Sequence, residues 1–186
     1  MRTQSSSAVI NGGLWRTDTK SLVGGVILGV AFMLIQQISG RIDLVLSPSL
    51  FIISGITWAT FTGVISLIFR QPAGVIMGET QGIIAVATGL SPVALFFLPA
   101  NGFGALAFSL VAWKLSMQKW SHHLLAQVVT NIVGNFFVGA GLYIILHLPL
   151  SVVLVSSGIT TVAGIIGGTI LTKIIGDALR KTGLAG

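Results

Sequence analysis

The stretch GVIMGETQ, residues 74–81, places a carboxylic acid inside the longest apolar part of the chain. Glu79 is the only acid between Ser49 and Leu171. A carboxylate at bilayer depth costs roughly 3 kcal/mol on insertion scales, so it usually faces a partner or a cavity. Gly74 and Gly78 have the small-xxx-small spacing that lets helices approach closely. We therefore expect Glu79 to point toward neighbouring helices and away from lipid.

Composition places the chain in the membrane. Of its 186 residues, 53% are hydrophobic and 8% are charged, and the mean hydropathy is +0.97. Soluble domains carry about 25% charged residues. A transmembrane helix needs about 20 mostly apolar residues. We predict an all-α integral membrane protein in the lipid bilayer with six spans, at about 21–39, 49–69, 72–89, 91–113, 123–147 and 150–172.

Basic residues predict the orientation, because Lys and Arg near helix ends are retained on the cytoplasmic side. With both termini inside, the outer loops hold only Arg41. We expect a cytoplasmic tail over 1–20, a six-helix domain over 21–175 and a cytoplasmic tail over 176–186. The net charge of +6 then reflects topology and anionic lipid, and we expect no nucleic-acid partner. The basic residues on the inner side are Arg2, Arg16, Lys20, Arg70, Lys114, Lys119, Lys173, Arg180 and Lys181.

Several chemistries lack the residues they require. The chain has no cysteine, which excludes disulfides and thiolate metal sites. It has no Gly-x-x-x-x-Gly-Lys-[Ser/Thr] loop for nucleotide phosphates. His122 and His123 are predicted at the end of the bundle opposite to His147, so the three cannot share a metal. We expect no catalytic residues, no metal and no cofactor.

Polar residues of four predicted helices fall at a common depth. With a rise of about 1.5 Å per residue, each residue lies roughly 10–18 Å from a predicted end of its helix. This depth is near the middle of a core about 30 Å thick. Such a cluster suits a small, flat, nitrogen-rich solute, with Glu79 neutralising a positive charge and a tryptophan face for stacking. The predicted substrate-binding residues are Glu79, Trp58, Asn101, Asn131 and Asn135, together with Gln36 near the end of helix 1.

Glu79 and the amides of helix 5 also have purely structural explanations. For Glu79 the alternative is a protonated side chain bonded to an amide, or a pair with a partner outside this chain. Gln127, Asn131 and Asn135 are spaced four apart and form one polar stripe, which also suits hydrogen bonding between helices. Pro99, followed by Gly102 and Gly104, predicts an interruption of helix 4 that frees backbone carbonyls beside Asn101. The outer loop at 41–48 is either a lid or a plain connector.

Three short motifs of helices 2 and 3 carry a resemblance to a known family: Gly55-Ile56-Thr57-Trp58, Arg70-Gln71-Pro72-Ala73-Gly74, and Glu79. They resemble the hydroxymethylpyrimidine/thiamine branch of the substrate-binding S components of energy-coupling factor (ECF) vitamin transporters. In length, helix number and placement of the termini, the resemblance extends over nearly the whole chain.

The resemblance implies capture of a vitamin or vitamin precursor from outside a prokaryotic cell, in its inner or plasma membrane. Uptake would be driven by partners, namely a membrane coupling (T) subunit and two ATPase subunits. Carried over by position, Glu79 contacts the ligand and Trp58 lines the pocket. Many S components dock through alanines at four-residue spacing in helix 1, where this chain has Gly25 and Gly29. The same spacing also suits close packing of helix 1 within this chain.

Two further functions stay open at this point. The interrupted helix 4 and the amide stripe also suit a self-contained carrier or channel. The 24 glycines and the small-residue faces also suit a non-catalytic membrane assembly subunit.

Overall fold

Helices form nearly all the regular structure in residues 13–46 and 50–183, the part of the chain that the computed structural model describes. A single 3₁₀ turn, Ala94–Phe96, precedes the fourth helix. The helices are α1 (Thr19–Leu46), α2 (Ile52–Ile68), α3 (Ala73–Ala87), α4 (Phe97–Lys114), α5 (Trp120–Ile145) and α6 (Leu150–Lys181).

Within the described residues, four helical segments are long and apolar enough to cross a membrane: α1, Ala94–Lys114, α5 and α6. The other two helices, α2 and α3, are apolar but shorter, with 17 and 15 residues. This confirms the predicted class, an all-helical protein of membrane type.

Contacts between helices fix their relative directions. Positions on α1 and α3 advance together, since Gly25 lies against Ala73 and Gly29 against Met77. The helix pairs α3–α4, α4–α5 and α5–α6 are antiparallel. Helices α1, α3 and α5 therefore run one way and α2, α4 and α6 the other. We call the end that holds Thr19 and Lys181 the basal end, and the opposite end the distal end. The antiparallel contacts are Gly78 with Asn101, Gly82 with Leu98, Gly141 with Phe96, Gly139 with Ser157 and Gly168 with Gln127.

The small-residue face of α1 is used inside the chain. A Cβ on Gly25 would lie 2.9 Å from the Ala73 carbonyl oxygen, and one on Gly29 would lie 2.6 Å from Thr80 Cβ. Both glycines are buried, so they permit close packing of α1 on α3. This corrects their predicted docking role, because a partner helix cannot reach either position in this arrangement.

The fourth helix is continuous where an interruption was expected. Pro99 is the third residue of α4, and Asn101, Gly102 and Gly104 follow it within regular helix. Proline is tolerated in a first turn because the N–H groups there have no partner within the helix. The irregular backbone instead precedes α4, which begins at Phe97 and not near Ser91.

Parts of both predicted tails have defined structure within residues 13–46 and 50–183. Helix α6 continues to Lys181, so residues 176–181 of the predicted C-terminal tail are helical. Lys173 and Arg180 both pair with Asp177, and Arg180 Nη2 donates to the Met117 carbonyl oxygen over 2.6 Å. Within the predicted tail 1–20, residues 1–12 lie outside the described residues.

The rest of that predicted tail is attached to the bundle. The Gln71 N–H donates to the Leu14 carbonyl over 3.1 Å, and the Arg16 N–H donates to the Gln71 carbonyl over 2.6 Å. Asp18 then caps α1, because its carboxylate accepts from the Ser21 N–H and hydroxyl over 3.1 and 2.7 Å. Leu14 and Trp15 therefore belong to an extended segment that pairs with Gln71.

The outer loop predicted at 41–48 is largely helical. Arg41–Leu46 complete α1, whereas residues 47 and 48 lie outside the described residues. Asp43 is buried and accepts from the Ile53 and Ser54 N–H groups over 2.7 and 2.8 Å. These donors open α2, so the carboxylate serves as a distant cap for that helix. The described part of this segment anchors α1 to α2.

Candidate functional site

A cavity of about 70 Å³ lies in the distal half of the bundle. One water needs about 10–15 Å³ by this kind of measure, so the cavity has room for several water-sized groups. Phe51, the residue before α2, lies on its wall, and so does Leu142 near the end of α5. The cavity therefore reaches the distal end. Four of the predicted site residues line it: Gln36, Trp58, Asn101 and Asn135.

A hydrogen-bond network fixes one wall of the cavity. Trp58 Nε1 donates to Asn101 Oδ1 over 2.7 Å, joining α2 to α4. Asn101 Nδ2 donates to the Gly78 carbonyl and to Gln81 Oε1, both over 2.7 Å, joining α4 to α3. Both amide protons of Asn101 are thus used within the protein. We infer that Asn101 positions the indole more than it binds a solute directly.

Two glycines make room for the indole of Trp58. A Cβ on Gly104 would lie 2.7 Å from its Cζ2 atom, and a Cβ on Gly134 would overlap its Cη2 and Cζ2 atoms. Because Gly104 is on α4 and Gly134 is on α5, the indole is held between these two helices. Glycine is required here by close approach, and any larger residue would displace the ring.

Other polar groups on the wall differ in how far their hydrogen bonds are satisfied. Gln36 Oε1 accepts from the Thr57 hydroxyl over 2.9 Å, and its Nε2 donates weakly to the Ser54 carbonyl over 3.4 Å. Asn135 Nδ2 and Thr160 Oγ1, in contrast, are buried without a hydrogen-bond partner. Because buried polar atoms are nearly always paired, these two are the groups best suited to contact a bound solute.

Glu79 is outside the cavity, contrary to the prediction. Its Oε1 atom lies against Gly102 of α4, 2.5 Å from where a Cβ on that glycine would be. Its side chain is partly exposed on the outside of the α3–α4 pair, and it has no hydrogen-bond or ion-pair partner among the described residues. The prediction for Glu79 was wrong because Glu79 directly follows Gly78 in α3. Gly78 itself faces Asn101, so the next residue is turned about 100° away from that contact.

Asn131 is also separate from the cavity. It is fully buried, and its Nδ2 donates to the carbonyl and side-chain oxygens of Gln127 over 2.8 and 3.1 Å. Gln127 Nε2 in turn donates to the Ala59 carbonyl over 2.9 Å and to Thr172 Oγ1 over 3.1 Å. This part of the amide stripe joins α5 to α2 and α6, which is the structural explanation.

The described cavity wall carries no ionisable side chain, so its chemistry differs from the expected cation site. It combines an indole, phenylalanine rings, amides and hydroxyls. Burying an unpaired charge in such surroundings would be costly, whereas a neutral heterocycle could stack and exchange hydrogen bonds. The wall therefore favours a neutral, planar solute.

Sequence reasoning did not identify three residues that matter at this wall. Gln81 is buried and completes the Asn101 network, and Thr160 provides an unpaired hydroxyl. Gly134 accommodates the indole. Gln81 could have been identified from the sequence. It lies two residues after Glu79, so its amide points to a different face of α3.

His123 lies near the start of α5. It is fully buried, with Nε2 2.8 Å from the Met117 carbonyl oxygen. In residues 13–46 and 50–183 no group of three or more His, Cys, Asp or Glu side chains could hold a metal.

Comparison of the chain with protein-family models, with curated proteins and with solved structures gives no match.

Proposed function

We propose that this protein is the substrate-binding S component of an ECF-type importer, which captures a small vitamin precursor from outside the cell. The observation that carries the proposal is the distal cavity, walled by Trp58 and Asn101 and containing the unpaired polar atoms of Asn135 and Thr160. The resemblance of the motifs in helices 2 and 3 to the family supports it. In this proposal all six helices span the membrane of a prokaryotic cell.

The positions of the basic residues support an outward-facing cavity. Arg16, Lys20, Lys114 and Lys181 lie at or near the basal end, where α1 begins and α4 and α6 end. By the positive-inside rule that end is cytoplasmic, so the cavity at the distal end receives its solute from outside. Transport would then require the membrane coupling subunit and the two ATPase subunits that the family resemblance implies.

The chemistry of the wall narrows the substrate class. Hydroxymethylpyrimidine is a single neutral ring with ring-nitrogen acceptors and an amino donor. Asn135 Nδ2 would donate to a ring nitrogen, Thr160 Oγ1 would accept from the amino group, and Trp58 would stack on the ring. Thiamine is larger and carries a permanent positive charge, for which the described wall offers no carboxylate. We therefore favour the neutral pyrimidine over thiamine.

The alternative of a self-contained carrier is less well supported. It was suggested in part by an interrupted helix 4, but α4 is continuous through Asn101 and Gly104.

Thermal unfolding of the purified protein in detergent tests the proposal. Hydroxymethylpyrimidine, thiamine, riboflavin, biotin and folate would each be added in turn. We expect the neutral pyrimidine to raise the unfolding midpoint and the much larger riboflavin and folate to leave it unchanged. A panel in which no compound raises the midpoint would argue against a vitamin-binding function. Solute flux into liposomes that contain only this chain would support a carrier.

A further inference from the structure

A second cavity lies at the basal end, away from the proposed solute site. Its volume is about 230 Å³, larger than that of the distal cavity. It lies between the last turns of α2 and α4 and is bordered by the extended segment before α1. The polar and charged residues on its wall are Ser66, Arg70, Ser109, Lys114 and Ser116.

The wall of this basal cavity is positively charged. Arg70 and Lys114 both contribute to it, and no acidic residue does among those the structure describes there. Arg70 Nη1 donates to the Gly13 carbonyl over 3.0 Å. Lys114 Nζ lies 3.7 Å from the centroid of the Trp113 ring. Burial lowers the pKa of Arg70, with a smaller contribution from the nearby Arg16 charge. Arginine nevertheless stays protonated in proteins.

Hydroxyl groups complete a set of anion-binding donors. Ser66 Oγ is buried without a hydrogen-bond partner. Ser109 Oγ accepts from Gln71 Nε2 over 2.8 Å, so its own proton is free to be donated elsewhere. Guanidinium, ammonium and hydroxyl groups together are the donors that recognise phosphate oxygens in proteins.

The backbone at Arg70 is held in an unusual conformation. Its φ angle is +59°, in the left-handed region that residues other than glycine adopt rarely. The next residue, Gln71, is fixed by its two backbone hydrogen bonds to Leu14 and Arg16. Such conformations recur at functional sites, where the surrounding structure maintains them. Here the conformation keeps Arg70 beside the cavity.

We propose that the basal cavity binds a phosphate-bearing anion, either the headgroup of an anionic lipid or a free phosphate compound. Arg70 and Lys114 provide the charge, and Ser66 and Ser109 provide further donors. The location at the basal end suits both sources, since anionic lipid and soluble phosphates both occur on the predicted cytoplasmic side. This proposal does not depend on the identity of the solute in the distal cavity.

The test uses the full chain and two defined probes. Thermal unfolding is measured in a neutral detergent with added inorganic phosphate, against sodium chloride of equal ionic strength. It is measured again in nanodiscs of phosphatidylcholine alone and of phosphatidylcholine with phosphatidylglycerol. The variants are Lys114→Gln, Arg70→Gly and a control, Lys119→Gln. Lys114 and Lys119 are both exposed, so neither change should prevent folding, but only Lys114 lines the cavity. Glycine at position 70 suits the positive φ.

We expect inorganic phosphate or phosphatidylglycerol to raise the unfolding midpoint of the wild type. Lys114→Gln and Arg70→Gly should each weaken the response about tenfold in probe concentration, whereas Lys119→Gln should not change it. A response to inorganic phosphate identifies a soluble ligand, and a response confined to phosphatidylglycerol identifies a lipid. The proposal is overturned if neither probe shifts the midpoint, or if Lys119→Gln reduces the response as much as Lys114→Gln does.

Discussion

Trp58 Nε1 donates a 2.7 Å hydrogen bond to Asn101 Oδ1, linking α2 to α4 at the wall of the distal cavity. Asn101 also donates hydrogen bonds to Gly78 and Gln81, which connect it to α3. Three helices therefore set the position of one aromatic ring.

Replacing Trp58 with phenylalanine should reduce stability, because Asn101 Oδ1 would lose its donor in a buried position. Asn101 is only 3% exposed, so we expect a loss of about 1–3 kcal/mol in the free energy of unfolding. This loss is measured by adding sodium dodecyl sulfate to the protein in a mild detergent and following its unfolding. Trp15→Phe is the matched control, since Trp15 is 61% exposed. Equal losses in the two variants would show that the buried hydrogen bond has no special importance.

Gly134→Ala should displace the indole, because its Cβ would overlap the Trp58 ring. Overpacking of this kind typically costs about 1–3 kcal/mol, and we also expect weaker binding of any solute that stacks on Trp58. Gly158→Ala is the control. A Cβ there meets no atom within 4 Å, so this change should be neutral or stabilising, by up to about 1 kcal/mol. If both variants retain wild-type stability and binding, the indole is not confined as described.

Asp43→Ala should destabilise the start of α2. The variant removes the acceptor for the Ile53 and Ser54 N–H groups, and loss of a helix cap costs about 0.5–2 kcal/mol. Asp43→Asn keeps one acceptor oxygen, so it should lose less stability than Asp43→Ala. Amide hydrogen exchange measures where the helix is weakened. In the variant, exchange should be faster over residues 52–56 and unchanged in the first turn of α6. Uniformly faster exchange across both helices would contradict a local capping role.

Asp18 should give the protein a pH dependence at the start of α1. The hydrogen bond from the Ser21 hydroxyl, with further contributions from Arg16 and the Ser21 N–H, lowers the pKa of Asp18 from its usual 3.8 to about 2. A lowered pKa in the folded state means stabilisation that is complete above the unfolded pKa and is lost as the pH falls through about 2.

Comparison with Asp18→Asn isolates that contribution, because asparagine resembles the protonated acid. The unfolding midpoint of the wild type should exceed that of the variant by a constant amount above about pH 5, and the difference should shrink toward pH 2. A difference that does not change over this range would mean that the charge on Asp18 does not contribute.

The helical membrane class was predictable because it depends on composition and on the length of apolar segments. Several helix ends were not. The sequence places a charge at Lys173, which suggested the end of a span, yet pairing with Asp177 allows α6 to continue. Pro99 suggested a break, but proline fits the first turn of α4. In each case contacts or helix position decided the outcome, and neither is visible in a local pattern.

The candidate site was predictable in depth but not in direction. Trp58, Asn101, Asn135 and Gln36 line one cavity, and the first three were expected at mid-depth, where polar side chains face other helices. Glu79 and Asn131 share that depth but point elsewhere. Helix rotation depends on which small residues form the contacts between helices, and several glycine pairs in this chain offered equivalent choices.

The most direct test of the account measures the affinity for hydroxymethylpyrimidine in two variants, Glu79→Gln and Asn135→Ala. Isothermal titration calorimetry of the detergent-purified proteins gives both dissociation constants. We predict that Glu79→Gln binds as the wild type does, whereas Asn135→Ala weakens binding by about tenfold or more because a buried donor is lost. Loss of binding in Glu79→Gln with retention in Asn135→Ala would contradict this prediction, and would return the carboxylate to the solute site.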